Sequence, residues 1–143
     1  MTEAHNAMMV RCVVEAIWNQ GDLDAADLLF TADYVNHAGL IADLVRGPEA
    51  IKISVAFYRT AFPDLQITID ELTAKRDAVL LRWTASSTPL ISSVTNRTRG
   101  RLRGMIVCRF VRGRIAESWM HWDQPGVLKQ LGLVRRAEPA GRG

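Results

Sequence analysis

The sequence predicts an α+β fold in which three helices precede a curved antiparallel sheet. Apolar residues recur at helical spacing in the first part of the chain, and the period changes to two after Pro63. Polar turns then separate the later apolar runs. Helices followed by strands is the order of an α+β domain whose sheet packs one face against the helices. If the sheet is curved, it forms a cone with an open mouth.

The length of 143 residues fits one domain. We expect this domain over residues 1–134, followed by a polar, frayed tail over 135–143. No repeat or linker divides the chain.

The first helix is predicted from about residue 4 to 20. Its apolar stripe is widened by Val10, Val14 and Trp18, which is typical of a helix covered on most sides. Gly21 suits the left-handed residue after a helix end. Asp22 can then cap a second, short helix that runs through Phe30.

A third helix is predicted after an irregular stretch that contains Tyr34, Asn36 and His37. Pro48 marks its start. Proline has no backbone N–H group, and in the first turn of a helix that group would have no partner within the helix. Pro63 stops it. Its apolar face is formed by Ile51, Val55, Tyr58 and Phe62.

Four antiparallel strands and a closing helix complete the prediction. Turns are expected at residues 74–77 and 112–113, and the closing helix is expected to begin after Pro125. The predicted strands cover residues 66–72, 79–87, 102–111 and 113–123.

Composition and cysteine usage argue against a disordered chain and against a zinc or redox protein. Hydrophobic content of 48% and charged content of 23% are those of a globular domain, and the formal charge of +3 indicates no particular partner. Cys12 and Cys108 match no zinc or redox spacing, so we expect free, buried thiols and no metal. Charged residues interrupt the N-terminal apolar run, which predicts neither a signal peptide nor a membrane span. We therefore expect a cytoplasmic protein.

The last strand carries the residues best suited to chemistry. Alternation places Glu117, Trp119, His121 and Asp123 on one face. Burial against Trp119 and Trp122 would raise the pKa of the Asp123 carboxyl towards the working pH, as a general acid or base requires. His121 could orient Asp123 or bind a substrate oxygen. Alternatively, Asp123 caps the following turn and helix, with His121 as its structural partner.

The other candidate residues have equally plain structural explanations. Aromatic residues at these spacings line a cavity or fill a core. His37 could contact a substrate at the cavity mouth, or it could be a surface or turn-stabilising histidine. Arg109 could pair with a buried acid or an enolate oxygen, although an ion pair on the sheet surface is simpler. The candidate substrate-binding residues are Trp18, His37, Tyr58, Phe62, Trp83, Arg109 and Trp119.

Four arginines, Arg97, Arg99, Arg101 and Arg103, recur at every second position, which places them on one side of a strand. Such a strip could bind nucleic acid, or it could be a solvated outer or edge face. No aromatic residue lies within the run, which argues against binding of a single strand. We expect no nucleic-acid partner.

Six short segments, in this order, resemble the SnoaL-like polyketide cyclases of the nuclear-transport-factor-2-like superfamily. The resemblance runs from about residue 10 to 133. The segments are Trp18-Asn-Gln-Gly-Asp22, Asp33-Tyr-Val-Asn-His37, Gly47-Pro-Glu49, Ala61-Phe-Pro-Asp-Leu65, Leu81-Arg-Trp-Thr84 and Gly113-Arg-Ile with Trp119, Asp123 and Gln130-Leu-Gly132.

The resemblance implies a cone-shaped α+β barrel around a deep apolar cavity, commonly a homodimer formed through the sheets. It also implies that Asp123 matches the aspartate that serves as catalytic acid/base. The reaction implied is an intramolecular aldol closure on a hydrophobic polycyclic molecule, without metal or organic cofactor.

The chain departs from the cyclases over residues 86–103. The family's Gly-Thr-His-like sequence and Pro-Thr-Gly turn are replaced there by a segment without histidine. This difference motivates two further hypotheses. One is a non-catalytic module that binds a small molecule or a partner, and the other is a related isomerase, hydroxylase or dehydratase.

Overall fold

The computed structural model describes residues 2–37, 45–87 and 100–122. Asp123, the closing helix, the tail and Arg97 and Arg99 therefore lie outside the described residues. The helical elements are α1 (Glu3–Cys12), a π-helical continuation (Val13–Asn19), a 3₁₀ turn (Leu23–Ala25), α2 (Ala26–Leu29) and α3 (Pro48–Ala61). The strands are β1 (Phe30–Asn36), β2 (Gln66–Lys75), β3 (Ala78–Ser87), β4 (Gly100–Val111) and β5 (Arg114–Trp122).

The N-terminal helix begins at a capped α-helical turn and continues as a wider π-helix. The Thr2 hydroxyl accepts a hydrogen bond from the His5 amide at 3.0 Å, which satisfies one of the free N–H groups of the first turn. From Val13 to Asn19 the backbone is π-helical, a geometry that the sequence did not predict. Gly21 then adopts φ +76°, which confirms the predicted left-handed residue.

The second helix is shorter than predicted. Asp22 makes no capping bond with its side chain, and a 3₁₀ turn leads into a four-residue α2 that ends at Leu29. Phe30 already belongs to β1. The predicted third helix is confirmed as α3, with Pro48 in its first turn.

The stretch predicted as irregular contains a strand. β1 pairs in parallel with β5, so within the described residues the sheet has five strands in the order β1-β5-β4-β3-β2 instead of four antiparallel ones. The register shifts between Phe30 and Val35, and Ala32 and Asp33 are exposed. This irregularity breaks the alternation by which a strand is recognised in a sequence.

The remaining strands pair as predicted. β2, β3, β4 and β5 form antiparallel neighbours, and the turn at Arg112-Gly113 is confirmed, with φ values of 53° and 82°. Two consecutive positive φ values are typical of the tight turns that match the twist of a hairpin. The turn before β3 is shorter than predicted, because β2 extends to Lys75.

Two bulges bend the sheet. Asp70 in β2 and Ala116 in β5 are extra residues between successive cross-strand pairs. A bulge increases local twist and bends its strand. The predicted α+β class with a curved sheet is confirmed.

The sheet has two distinct faces. The inner face contacts the helices and contains most of the strand residues that enter the core: Val79, Leu81, Trp83, Ala85, Leu102, Ile106, Cys108, Phe110, Ile115, Ser118 and Met120, with Ile67, Ile69, Leu72 and Ala74 of β2. The outer face contains their neighbours along the strands: Leu80, Arg82, Thr84, Arg101, Arg103, Met105, Val107, Arg109, Glu117, Trp119 and His121.

None of the helices within the described ranges is long and apolar enough to cross a membrane.

Candidate functional site

The candidate site is the end of the inner face where β2 begins and β3 ends. Ile67, Ala85 and Leu102 are cross-strand neighbours there. All three pack against the core yet stay partly exposed. We call this surface the Ile67 end of the inner face. Its partly exposed apolar side chains can contact a hydrophobic ligand.

Trp83 is a buried aromatic neighbour of this end, with 6% of its surface exposed. It lies over Gly104 on β4, where a Cβ atom would come within 2.3 Å of the indole Cζ2. Gly104 is therefore required for the position of the ring, because any side chain would displace it. Trp83 belongs to the hydrophobic core on the inner face.

Trp18 and Tyr58 form a pair of partly exposed aromatic rings between the helices. Their ring centroids lie 6.1 Å apart at an angle of 42°. The π-helical segment that carries Trp18 is bonded through Asn19 to Ile67. Burial raises the pKa of the Tyr58 hydroxyl, so this group stays neutral. Phe62, at the end of α3, is half-buried.

A neutral polar pair lies deeper in the inner face. The Tyr34 hydroxyl hydrogen-bonds the Ser118 hydroxyl at 2.6 Å, and both residues are buried. Burial raises the pKa of Tyr34, although the bond with Ser118 partly opposes this effect. Burial also raises the pKa of the neighbouring Cys108 thiol to about 12. Sequence analysis missed this pair, because Tyr34 was placed outside any strand.

The inner face contains no ionisable carboxylate, imidazole, ammonium or guanidinium group among the strand residues that the structure describes. A general base at this surface must therefore come from elsewhere in the chain. Asp123 follows directly after β5, outside the described residues.

His37, Trp119, Glu117 and Arg109 form a cluster on the outer face. The His37 and Trp119 rings stack with centroids 4.9 Å apart and planes 6° apart. The Glu117 carboxylate contacts His37 Nε2 at 3.0 Å and accepts a hydrogen bond from Arg109 Nε at 2.6 Å. These contacts with His37 and Arg109 hold the pKa of Glu117 below its usual value.

This cluster places three of the candidate residues on the outer face. Contact with a substrate at the cavity mouth was one of the two explanations for His37, and the structure shows it instead bound to Glu117 on the side of the sheet away from the core. Arg109 forms the surface ion pair that was its simpler explanation. Trp119 shares a face with Glu117, as alternation predicted, but that face points away from the core.

His121 also lies on the outer face, where it opposes Met105 and is exposed. The arginine strip follows the same pattern for the two members that the structure describes. Arg101 and Arg103 are exposed on the outer face of β4, which is a central strand and not an edge. Within residues 2–37, 45–87 and 100–122, no three His, Cys, Asp or Glu side chains gather as a metal site would require.

A family model described as SnoaL-like polyketide cyclase matches residues 8–131. None of the curated proteins matches the sequence.

Solved structures share the fold over nearly their whole length. TsrD from Streptomyces laurentii superposes with a TM-score of 0.77 at 22% identity, and the match covers 94% of this chain and 99% of TsrD. AclR from Streptomyces galilaeus, a proposed hydroxylase, gives 0.75 at 24% identity, with 93% and 99% covered. IdmH from Streptomyces antibioticus, a proposed polyketide cyclase, gives 0.75 at 26% identity, with 89% and 98% covered.

Proposed function

The chain belongs to the SnoaL-like polyketide cyclase family, and we propose that it closes a ring of a hydrophobic polycyclic molecule by an intramolecular aldol reaction. The observation that carries this proposal is the partly exposed apolar Ile67 end of the inner face, to which Asn19 fixes the helical segment that carries the Trp18–Tyr58 ring pair. Sites for small apolar molecules combine such surfaces with few polar groups.

The reaction begins with one proton transfer and finishes with another. A base removes a proton from a carbon between two carbonyl groups, the resulting enolate carbon bonds to a second carbonyl carbon, and the new alkoxide takes up a proton. Such carbon acids are acidic enough for a carboxylate to act as the base. We propose Asp123 for this role, since the resemblance of the sequence to the cyclases matches it with their acid/base. A positioned acid or base contributes roughly 10²- to 10⁴-fold in rate.

The strand geometry sets a condition on this role. Alternation along β5 takes Glu117, Trp119 and His121 to the outer face. Asp123 can reach the inner face only if the chain leaves that alternation after Trp122. We therefore propose Asp123 without His121 as its partner, because His121 is exposed on the outer face.

The test is turnover of aromatic polyketide methyl esters, followed by mass spectrometry. Ring closure gives an isomer of unchanged mass, or a product that has lost one water. Asp123→Asn should lower the rate by about 10²- to 10⁴-fold, because the amide cannot take the proton. Asp24→Asn, at an exposed position of the 3₁₀ turn, is the matched control. Both this variant and His121→Gln should keep the wild-type rate within about twofold. Equal turnover by the wild type and Asp123→Asn would refute the assigned role.

A second candidate function is binding without catalysis. It is favoured by the lack of any carboxylate, imidazole, ammonium or guanidinium group among the described strand residues of the inner face, together with the altered sequence over residues 86–103. Calorimetry with the same esters distinguishes the two, since a binding module would bind them and return them unchanged. A product heavier by one oxygen would instead point to hydroxylation, the activity proposed for AclR.

We also propose that the protein is a homodimer formed through the outer face. Leu80, Met105, Val107 and Trp119 lie next to one another there and are only half-buried within one chain. A second copy would remove this apolar surface from water.

A further inference from the structure

The end of the π-helical segment is held by a guanidinium group. Arg59 Nη1, from α3, donates to the carbonyl oxygens of Trp18 at 2.7 Å and Asn19 at 3.1 Å. Carbonyls at the end of a helix lack partners within it and carry the negative end of the helix dipole. A half-buried cation that donates to two of them therefore fixes this helix end against α3.

Gly21 allows this approach. Its φ of +76° belongs to the left-handed region, and a Cβ atom there would lie 3.1 Å from Arg59 Nε. The same glycine thus ends the helix and leaves room for the guanidinium group.

A second contact fixes the helix end to the sheet. The Asn19 side chain accepts a hydrogen bond from the Ile67 amide at 2.7 Å and donates one to the Ile67 carbonyl at 3.0 Å. In the described part of the sheet β2 is an edge strand, so no neighbouring strand there binds these backbone groups. The Asn19 amide occupies the place of a strand residue at this point.

Trp18 lies between these two contacts. Its own carbonyl binds Arg59, the next residue binds Ile67, and its ring lies against Tyr58, the residue before Arg59. Together, the two hydrogen-bonded contacts restrict rotation of the Trp18 backbone.

We propose that Arg59 is a positioning residue that, together with Asn19, holds the Trp18–Tyr58 ring pair in place for a planar, apolar ligand. This inference rests on the proposed function, because it assigns the ring pair to the same ligand surface. Preorganised aromatic surface lowers the entropic cost of ordering side chains when a ligand binds. Loss of the guanidinium group should therefore weaken binding and leave the chemical step unchanged.

The test compares Arg59→Met with Arg82→Met. Both changes remove a guanidinium group and keep an unbranched stem, but Arg82 pairs with Glu71 on the outer face. Fluorotryptophan-labelled protein reports the ring by fluorine NMR, with the Trp18 signal identified by its loss in Trp18→Phe. Anilinonaphthalene sulfonate serves as the planar apolar probe, and its Kd is measured by fluorescence titration.

In Arg59→Met we expect the Trp18 signal to shift or broaden and the probe Kd to rise about threefold to tenfold. Arg82→Met should match the wild type in both measurements. An unchanged Trp18 signal and Kd in Arg59→Met would overturn the proposal, as would a wild-type protein that does not bind the probe. If Arg59→Met does not fold, Arg59→Lys decides in the same way, because an ammonium group cannot reproduce the two-carbonyl contact.

Failure of this proposal can be distinguished from failure of the proposed cyclase. If the wild type binds the probe but converts no ester, the effect of Arg59→Met on Kd still stands. If esters are converted, Arg59→Met should raise KM several-fold with little change in kcat. Normal KM in that variant would refute the role of Arg59 and leave the cyclase intact.

Discussion

At the scale of single residues, packing in the sheet depends on whether the residue opposite a large side chain leaves room for it. Trp83 can lie over β4 only because position 104 has no Cβ atom. The sequence shows both residues, but their proximity depends on the register of β3 against β4, in which Trp83 opposes Gly104.

We predict that Gly104→Ala lowers the free energy of unfolding by about 1–3 kcal/mol, because the methyl group overlaps the indole ring. Urea denaturation measures this change. In a Trp83→Leu background the same substitution should cost much less. Equal costs in both backgrounds would show that the ring contact is not the cause.

At the scale of secondary-structure elements, β1 is the least predictable part of the fold. It pairs with β5 at only a few positions, on either side of a register shift. Its most buried side chain, Tyr34, bonds Ser118 of β5 through the two hydroxyl groups. This bond joins the parallel edge strand to the rest of the sheet where backbone pairing is irregular.

Tyr34→Phe should therefore destabilise the protein by about 1–2 kcal/mol, since it leaves the Ser118 hydroxyl buried without this partner. Hydrogen exchange should rise most in β1. Ser118→Ala combined with Tyr34→Phe should cost less than the sum of the single changes. Strict additivity would contradict a direct coupling between the two hydroxyls.

At the scale of the whole molecule, the two faces of the sheet have different roles. The helices cover the inner face, where the candidate ligand surface lies. The outer face combines half-buried apolar residues with ion pairs such as Arg82–Glu71 and Arg109–Glu117. The helical part of the core lies on the other side of the sheet, and on this face His37 stacks on Trp119.

If that face forms the proposed dimer, Val107→Arg should convert the protein to a monomer, because it places a charge among the apolar residues of the interface. Light scattering after size exclusion measures the mass. Ile53→Arg, at an exposed apolar position of α3, is the control and should remain dimeric. A monomeric wild type, or a dimer that survives Val107→Arg, would contradict this interface.

The sequence by itself determined the α+β class, α3, the β2–β5 strands and the turn at Arg112-Gly113. These features follow from local rules: hydrophobic period, proline at a helix start and glycine at a tight turn. It also determined that Glu117, Trp119 and His121 share one face, because alternation is a property of any strand.

Only the tertiary structure decided which face that is. Alternation has two solutions, and the choice depends on which side of the sheet the helices cover. Here Ser118 and Met120 take the core side, so Trp119 and His121 point outwards. Parallel pairing of β1 and the contacts of Arg59 were equally hidden, because each joins residues far apart in the chain. The local sequence pattern defines an element and the residues that share each of its sides. Packing between elements decides which side is buried and which side faces outwards.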